Sequence, residues 1–530
     1  MFLKKQFLWL TATVAFLAFL ISCSGGGGSG SSAACTSTDT VDTPTLAMVD
    51  GNCDGIVGNI TNAIFVDGVI GLDTNAGTKA SPKKTIQAGI TVQVAGKEVY
   101  VSKGTYAEAI TLKDGVSIFG GYDASNNWAR TSNNITTIAS PTAVAVTATN
   151  ITQSTQVQLF SITSPDLSAA IPTGDGVSSI GVKVTGSGNT VTIRGVSITA
   201  GKGAPGLSQS AASKGADGNP GGNGSGIGAG IGGTSSCGAG GGFGAAGVTS
   251  GLVSGIAGNN GFTATGGGSG ATGGSPGIPG TCVASSATNG GAAPIVSSTA
   301  YPGTVGANGT AGSATGSING SGIYQPAAGT SSTAGNAGGG GASGGSGGGT
   351  QSGANSPTCF DCTTLNSGAG GGGGAGGCGG NAGLNGSGGG GSFAIVAVAS
   401  NIIIDSTIMT TAAGGNGGNG GNGGDGGSAG GPGTGASGAS RTTCAAHNAG
   451  AGASGTAGAA GGKGGGGAGG SGGPSICIAY TGTAPTTSSI QCTNSTGGNG
   501  GTGGSGTSGF LGNTPAPNGN TGGTGNLINF

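Results

Sequence analysis

The chain has 530 residues, of which 134 are glycine, only 6% are charged, and the formal net charge is −1. An average chain is about 7% glycine and about 25% charged. The near-neutral balance excludes a basic footprint for nucleic acid or an anionic membrane surface, and the 4% aromatic content implies that much of the length builds no ordinary core.

Residues 1–22 are built as a secretory signal. Lys4 and Lys5 form a positive n-region, and Phe7 to Ile21 is an apolar stretch broken only by Thr11 and Thr13. That is short for a membrane span and has the proportions of a signal h-region. The ending Leu20-Ile21-Ser22-Cys23 resembles a bacterial lipoprotein signal. The resemblance implies cleavage before Cys23, a covalent lipid on Cys23, and, with Ser24 rather than Asp next, delivery to the bacterial outer membrane on its periplasmic or its exposed face. The chain contains 11 cysteines. With Cys23 lipidated an even number remains, in a compartment where disulfides persist. Neighbours in sequence suggest Cys35 with Cys53, Cys237 with Cys282, and Cys477 with Cys492, leaving Cys359, Cys362, Cys378 and Cys444 open.

A Gly/Ser tether follows at 23–34, then a polar, turn-rich module at 35–73. Within it Asp50-Gly-Asn52-Cys53-Asp54-Gly55 matches the first half of a calcium loop, with oxygen ligands at alternate positions and glycine at the sharp bend. Thr61 stands where the bidentate Glu belongs, and Asp67 is the nearest substitute. A solvated turn is the competing reading. A helix is expected from Pro82 to Ala95, with Ser81 as N-cap, Pro82 in the first turn, and Ile86, Ile90 and Val94 on one face. From Glu98 the pattern changes to short β runs cut by turn residues: 99–101, 109–112, 116–119, 136–138, 143–146, 157–162, 181–184, 191–193 and 196–198. Runs so short suit the stacked turns of a solenoid better than a sandwich.

The stretches GTKASPKKTIQAGI (77–90) and EVYVSKGTYAEAITLKDGVSIFGGYD (98–123) resemble the start of secreted bacterial right-handed parallel β-helix lipoproteins of the pectate-lyase-like superfamily. The likeness covers roughly residues 50–200. It implies an all-β right-handed parallel β-helix over 74–200 with an N-terminal capping helix, and no particular activity. Glycine-rich insertions are expected at 201–392 and 414–475, a β-helix rung at 393–413, and a terminal rung with a glycine-rich tail at 476–530. The tract Gly414–Gly427 reads GGNGGNGGNGGDGG. Its period of three fits a polyproline-II-type helix with about 3.1 Å rise per residue, so the insertions are either disordered or a packed polyglycine-II-like bundle. Collagen needs strict G-X-Y and far more than the 18 prolines present.

Catalytic motifs are sparse. Glu98 and Glu108 are the only glutamates, and beyond residue 200 the acids are Asp217, Asp361, Asp405 and Asp425. Asp166, Asp175, Lys183 and Arg194 form the one acid/base set in the β-helix zone, where turn residues at a solvated surface are the alternative. Cys359-Phe-Asp-Cys362 with Cys378, Cys444 and His447 is a zinc pattern in a disulfide compartment, so bridging is expected instead. Chance G-x-G-x-x-G matches carry no strand–turn–helix context. The functional expectation is an envelope-anchored structural or adhesive lipoprotein whose partners are the membrane, through its lipid, and glycans or other envelope surfaces. The alternative is a polysaccharide-binding or polysaccharide-cleaving β-helix protein.

Overall fold

The computed structural model describes residues 37, 42–188, 191–249, 253–264, 268–279, 282–283, 286–287, 292–294, 299–327, 329–348, 350–352, 363–441, 447–509 and 512–530. The signal segment, Cys23, the tether, Cys35, Cys359, Asp361, Cys362 and Cys444 lie outside them.

Three stacked parallel sheets organise the chain. The first holds Ala63–Val66, Glu98–Ser102, Ser117–Asp123, Thr155–Gln158, Val191–Arg194, Ile402–Asp405 and Thr486–Ser488, with Ala129–Arg130 antiparallel at its side. The second holds Gly104–Tyr106, Thr136–Ala139, Ser161–Thr163, Ser197–Ala200, Ile408–Thr411 and Gln491–Thr493. The third holds Ile110–Thr111, Val144–Thr149, Ser179–Thr185, Ser392–Val398, Ser475–Thr481 and Thr524–Asn529. The chain visits them in fixed rotation, each strand pairing in parallel with the one a circuit earlier, consistent with a parallel β-helix-like fold.

Inward side chains stack in columns set by that register. Ile118, Val157, Ile193 and Ile404 align in the first sheet. Ile138, Ile162, Ile198 and Met409 align in the second, and Val146, Val182, Ile395 and Ile478 in the third. All belong to one buried core. Two corners are turned by single left-handed residues: Asn150, Gly186, Ala399 and Gly482 between the third and first sheets, and Leu159, Gly195, Ser406 and Ser489 between the first and second. The expected run 157–162 is therefore two strands, broken where Leu159 takes positive φ, and the expected rung 393–413 is broken in the same way at Ser406.

The helix spans Ile86–Val92, not 82–95, with Thr85 as N-cap accepting from the Ala88 N–H. Lys83 is held in extended pairing, donating to the Phe65 carbonyl (2.9 Å) and accepting from Asp67 (2.9 Å), which delays the helix start. Glu108 accepts from the N–H groups of Ile86 and Gln87, and Ile86 and Ile90 join the core. Residues 42–62 cover the outer face of the first sheet over Phe65, Tyr100, Phe119, Tyr122 and Trp128. Tyr122 Oη donates to the Val57 carbonyl at 2.6 Å.

The third corner, from the second sheet to the third, is where the chain expands: 107–109, 140–143 and 164–178, then 201–391, 412–474 and 494–523. All the glycine tracts leave from it. Outbound segments extend the second sheet: Gly206, Gln209, Ala212, Gly215, Gly218, Gly221 and Gly224 donate at three-residue steps to the carbonyls of Asn416, Asn419, Asn422, Asp425, Ser428, Gly431 and Thr434. The segment 367–391, which leads into Ser392–Val398, is enclosed by bonded neighbours at 204–224, 230–247, 335–347, 415–439 and 450–473. Glycine is required where these backbones touch; a Cβ at Gly377 would collide with the Gly427 carbonyl. The described residues of the tracts thus form a packed bundle, and most residues of 367–391 are buried.

Candidate functional site

The outer face of the third sheet is covered where the short hairpin Ser317–Ile318/Tyr324–Gln325 folds back from the first glycine tract. Tyr324 packs with Ile180, Phe393, Val396 and Ile476, and Phe530 closes the cluster against Tyr324 and Phe393. Beside the hairpin a groove of about 400 Å³ opens, floored by Val144, Val177, Ile180 and Tyr324, with Asp175 and Lys183 on its walls. Two of the four acid/base candidates therefore meet at one groove. Each is already engaged: Asp175 Oδ1 accepts from the Gly388 N–H at 2.8 Å, and Lys183 Nζ donates to the Ser321 carbonyl at 3.3 Å. Burial pushes the Tyr324 hydroxyl up to about 12, so it stays a neutral phenol at ordinary pH. The groove lining contains one carboxylate, whereas glycoside hydrolysis needs two flanking the scissile bond.

The other two candidates lie elsewhere. Arg194 pairs with Asp405 one circuit away (3.0 Å), directly across the first sheet. Asp166 lies 3.7 Å from Lys202, and hydrogen bonds from Ser168 hold its carboxyl below the usual range. The carboxyls raised by burial are Glu98, up to about 7, and Glu108. Glu98 accepts from Tyr100 Oη inside the aromatic cover, and Glu108 caps the helix. Both positions are structural, and neither lines the groove beside Tyr324.

The Asp50–Asp54 loop closes on itself. Asp50 Oδ2 accepts from Gly55, Asn52 Oδ1 from Asp54, and the two Asp54 oxygens from Ile56 and Ile60, at 2.9–3.1 Å. Asp67 Oδ1 accepts from the N–H groups of Val69 and Ile70. No group of three or more His, Cys, Asp or Glu placed to hold a metal occurs among the described residues.

Cys53 is disulfide-bonded; its expected partner Cys35 is outside the described residues. Cys477 and Cys492 are bridged within the core at the last circuit. Cys237 is bonded to Cys378, not Cys282. The bundle brings the segment at 237 against the central segment, a contact that sequence proximity cannot reveal, and it removes Cys378 from the zinc pattern. His447 lies in the hairpin strand His447–Asn448.

Sequence reasoning missed the regular polar face of the bundle. Asn416, Asn419 and Asn422, the third residues of the GGN repeats, stand exposed. Their Oδ1 atoms accept from the N–H groups of Asn499, Thr502 and Ser505 at 3.0, 2.9 and 2.7 Å. The period of three was visible; which neighbour it faced was not. The chain matches no family model, no curated protein and no solved structure.

Proposed function

We propose that this chain is an envelope-anchored structural or adhesive lipoprotein without a catalytic step. In this reading a lipid on Cys23 holds it at the bacterial outer membrane. A right-handed parallel β-helix, capped at its N-terminal end by Ile86–Val92, forms the stem, and the glycine tracts form a rigid polyglycine-II-like slab that presents hydrogen-bonding surface. The observation that carries it is the separation of the acid/base set of the β-helix zone: Asp166 and Arg194 pair elsewhere with Lys202 and Asp405, while Asp175 and Lys183 are bonded to backbone. A slab tied by backbone bonds among the described glycine segments supports a scaffold role, because its shape does not depend on a deep core.

The anchoring half is tested by Cys23→Ala, which should move the protein out of the detergent fraction; retention on the membrane refutes it. The non-catalytic half is tested by incubating the purified ectodomain with acidic polysaccharides and calcium. New reducing or unsaturated ends, abolished by Lys183→Ala or Arg194→Ala, would establish the polysaccharide-cleaving alternative. The groove beside Tyr324 favours binding over hydrolysis within that alternative, since its lining holds one carboxylate where glycoside hydrolysis needs two.

A further inference from the structure

The outbound glycine segments carry an ordered donor array. Along the segment from Gly414 the two glycines of each repeat face neighbouring backbones, and the third residue faces solvent. The three-residue step places Asn416, Asn419 and Asn422 in a straight row about 9 Å apart. Each asparagine has its Oδ1 occupied by the outward N–H of the next segment, while Gly417, Gly420 and Gly423 donate to the Asn499, Thr502 and Ser505 carbonyls (2.8, 2.8 and 3.0 Å). Oδ1 is thereby held toward the next segment, and the exposed side chains make no hydrogen bond through Nδ2 among the described residues. The adjoining row of Asn499, Thr502 and Ser505 adds polar side chains a strand spacing away, about 5 Å. Glycine between the asparagines leaves the floor without side chains.

We propose that the Asn416–Asn419–Asn422 row is a preorganised donor comb that binds an extended, neutral, β-linked polysaccharide lying along the slab. Such a polymer presents the same edge of ring and hydroxyl oxygens once per disaccharide, a repeat of comparable length to one step of the comb. The slab has already lost the freedom that flexible side chains would lose on binding, so individually weak hydrogen bonds add along the row. An uncharged row selects against polyanions, which would find no compensating cation among these residues. The inference rests on the adhesive reading and names its ligand class.

The test uses the full ectodomain and retention on microcrystalline cellulose, on chitin and on amylose, the last an α-linked polymer that coils. The wild type is retained on cellulose or chitin, not on amylose, and 1 M salt leaves retention unchanged because no ion pairs are involved. The triple variant Asn416→Asp, Asn419→Asp, Asn422→Asp keeps every Oδ1 acceptor and removes every outward donor. It should melt as the wild type does and be retained about tenfold less or worse. A second variant, Asn499→Ala with Thr502→Ala, removes side chains whose N–H groups alone bond to the row, and it should weaken retention to a smaller degree. Undiminished retention of the folded triple variant refutes the comb while leaving adhesion standing. Equal retention on amylose refutes the spacing argument. No retention of wild type on any of the three polymers refutes the glycan assignment, and attachment of Cys23-anchored cells to surfaces then judges adhesion independently.

Discussion

Alanine substitution at two glycines a short way apart separates a packed glycine bundle from a merely collapsed one. Gly374 lies on the enclosed segment. Its N–H donates to Thr456 (2.9 Å) and its carbonyl accepts from Gly341 (2.8 Å). A Cβ there would sit 2.6 Å from both the Gly430 carbonyl carbon and the Gly431 oxygen, and closer still to the Gly430 oxygen. Ordinary carbon contacts are about 3.5–4.0 Å, so the segment around Gly430 must retreat by about 1 Å. That retreat stretches the bonds Gly427 to Cys378 (2.7 Å), Gly430 to Ala375 (2.8 Å) and Gly433 to Gly372 (2.8 Å). At about 1 kcal/mol for each bond lost, and with overpacking costing about 1–3 kcal/mol, Gly374→Ala should cost about 3 kcal/mol or more. The melting temperature should fall by about 3 °C for a chain of this length. At Gly431 a Cβ meets nothing within 4 Å, and Gly431→Ala should be neutral or slightly stabilising through the unfolded chain. Calorimetry of both variants reads the difference. Equal melting of the two would refute the close backbone packing.

Three further outcomes follow from local structure. Burial, opposed by the Tyr100 hydrogen bond and aided by Asp42, raises Glu98 from its ordinary 4.5 to about 7. The folded state therefore binds that proton more tightly than the unfolded one, and its stabilisation is complete below pH 4.5 and is lost as pH rises to about 7, on the order of 3 kcal/mol in all. Urea midpoints should decline across that window in wild type and stay flatter in Glu98→Gln; parallel profiles would show that Glu98 is not the group. The Cys237–Cys378 bridge spans 141 residues, so the double variant to Ala should lose up to about 5 kcal/mol in the chain-entropy account, against about 3 kcal/mol for the 15-residue Cys477–Cys492 loop, and equal melting shifts would contradict that ordering. Arg194→Ala should cost no more than about 1 kcal/mol, since its pair with Asp405 is partly solvated; a loss of several kcal/mol in chemical denaturation would mean that the pair is far more than a surface contact.

The sheet strands were readable because short β-branched runs between turn residues need only local chemistry to be recognised. The runs at 99–101, 181–184 and 191–193 sit inside observed strands. Strands poor in such residues, Thr486–Ser488 and Gln491–Thr493, escaped notice, because their pairing with Ile403–Asp405 and Ile408–Thr410 decides their conformation. Ser81 and Pro82 carry start signals that the pairing of Lys83 with Phe65 overrides. Period three in the glycine tracts specified the segment type but left packing against disorder open, since the deciding bonds join residues far apart. The Cys237 partner was hidden for the same reason. Of the acid/base set, the meeting of Asp175 with Lys183 needed the hairpin at 317–325, which carries no periodic signal.

The glycine bundle inherits its register from the sheets. In the second sheet Ser197 pairs with Ile408 and Ile408 with Gln491, offsets of 211 and 83. The same two offsets recur in the bundle, where Asp217 accepts from Ser428 and Asn223 from Thr434 at a separation of 211, and Asn416 accepts from Asn499 at 83. Outbound segments thus leave the corner already stacked, as consecutive parallel strands are, about 4.8 Å apart. Nothing in a run of glycine and asparagine distinguishes one three-residue slip from the next, because slipping by a repeat restores every backbone bond. The apolar columns of the sheets do distinguish them, since a slip there would misplace Ile198 against Met409. A sequence with so little side-chain information can therefore hold one register, because the β-sheet stem fixes it at the point where each tract begins.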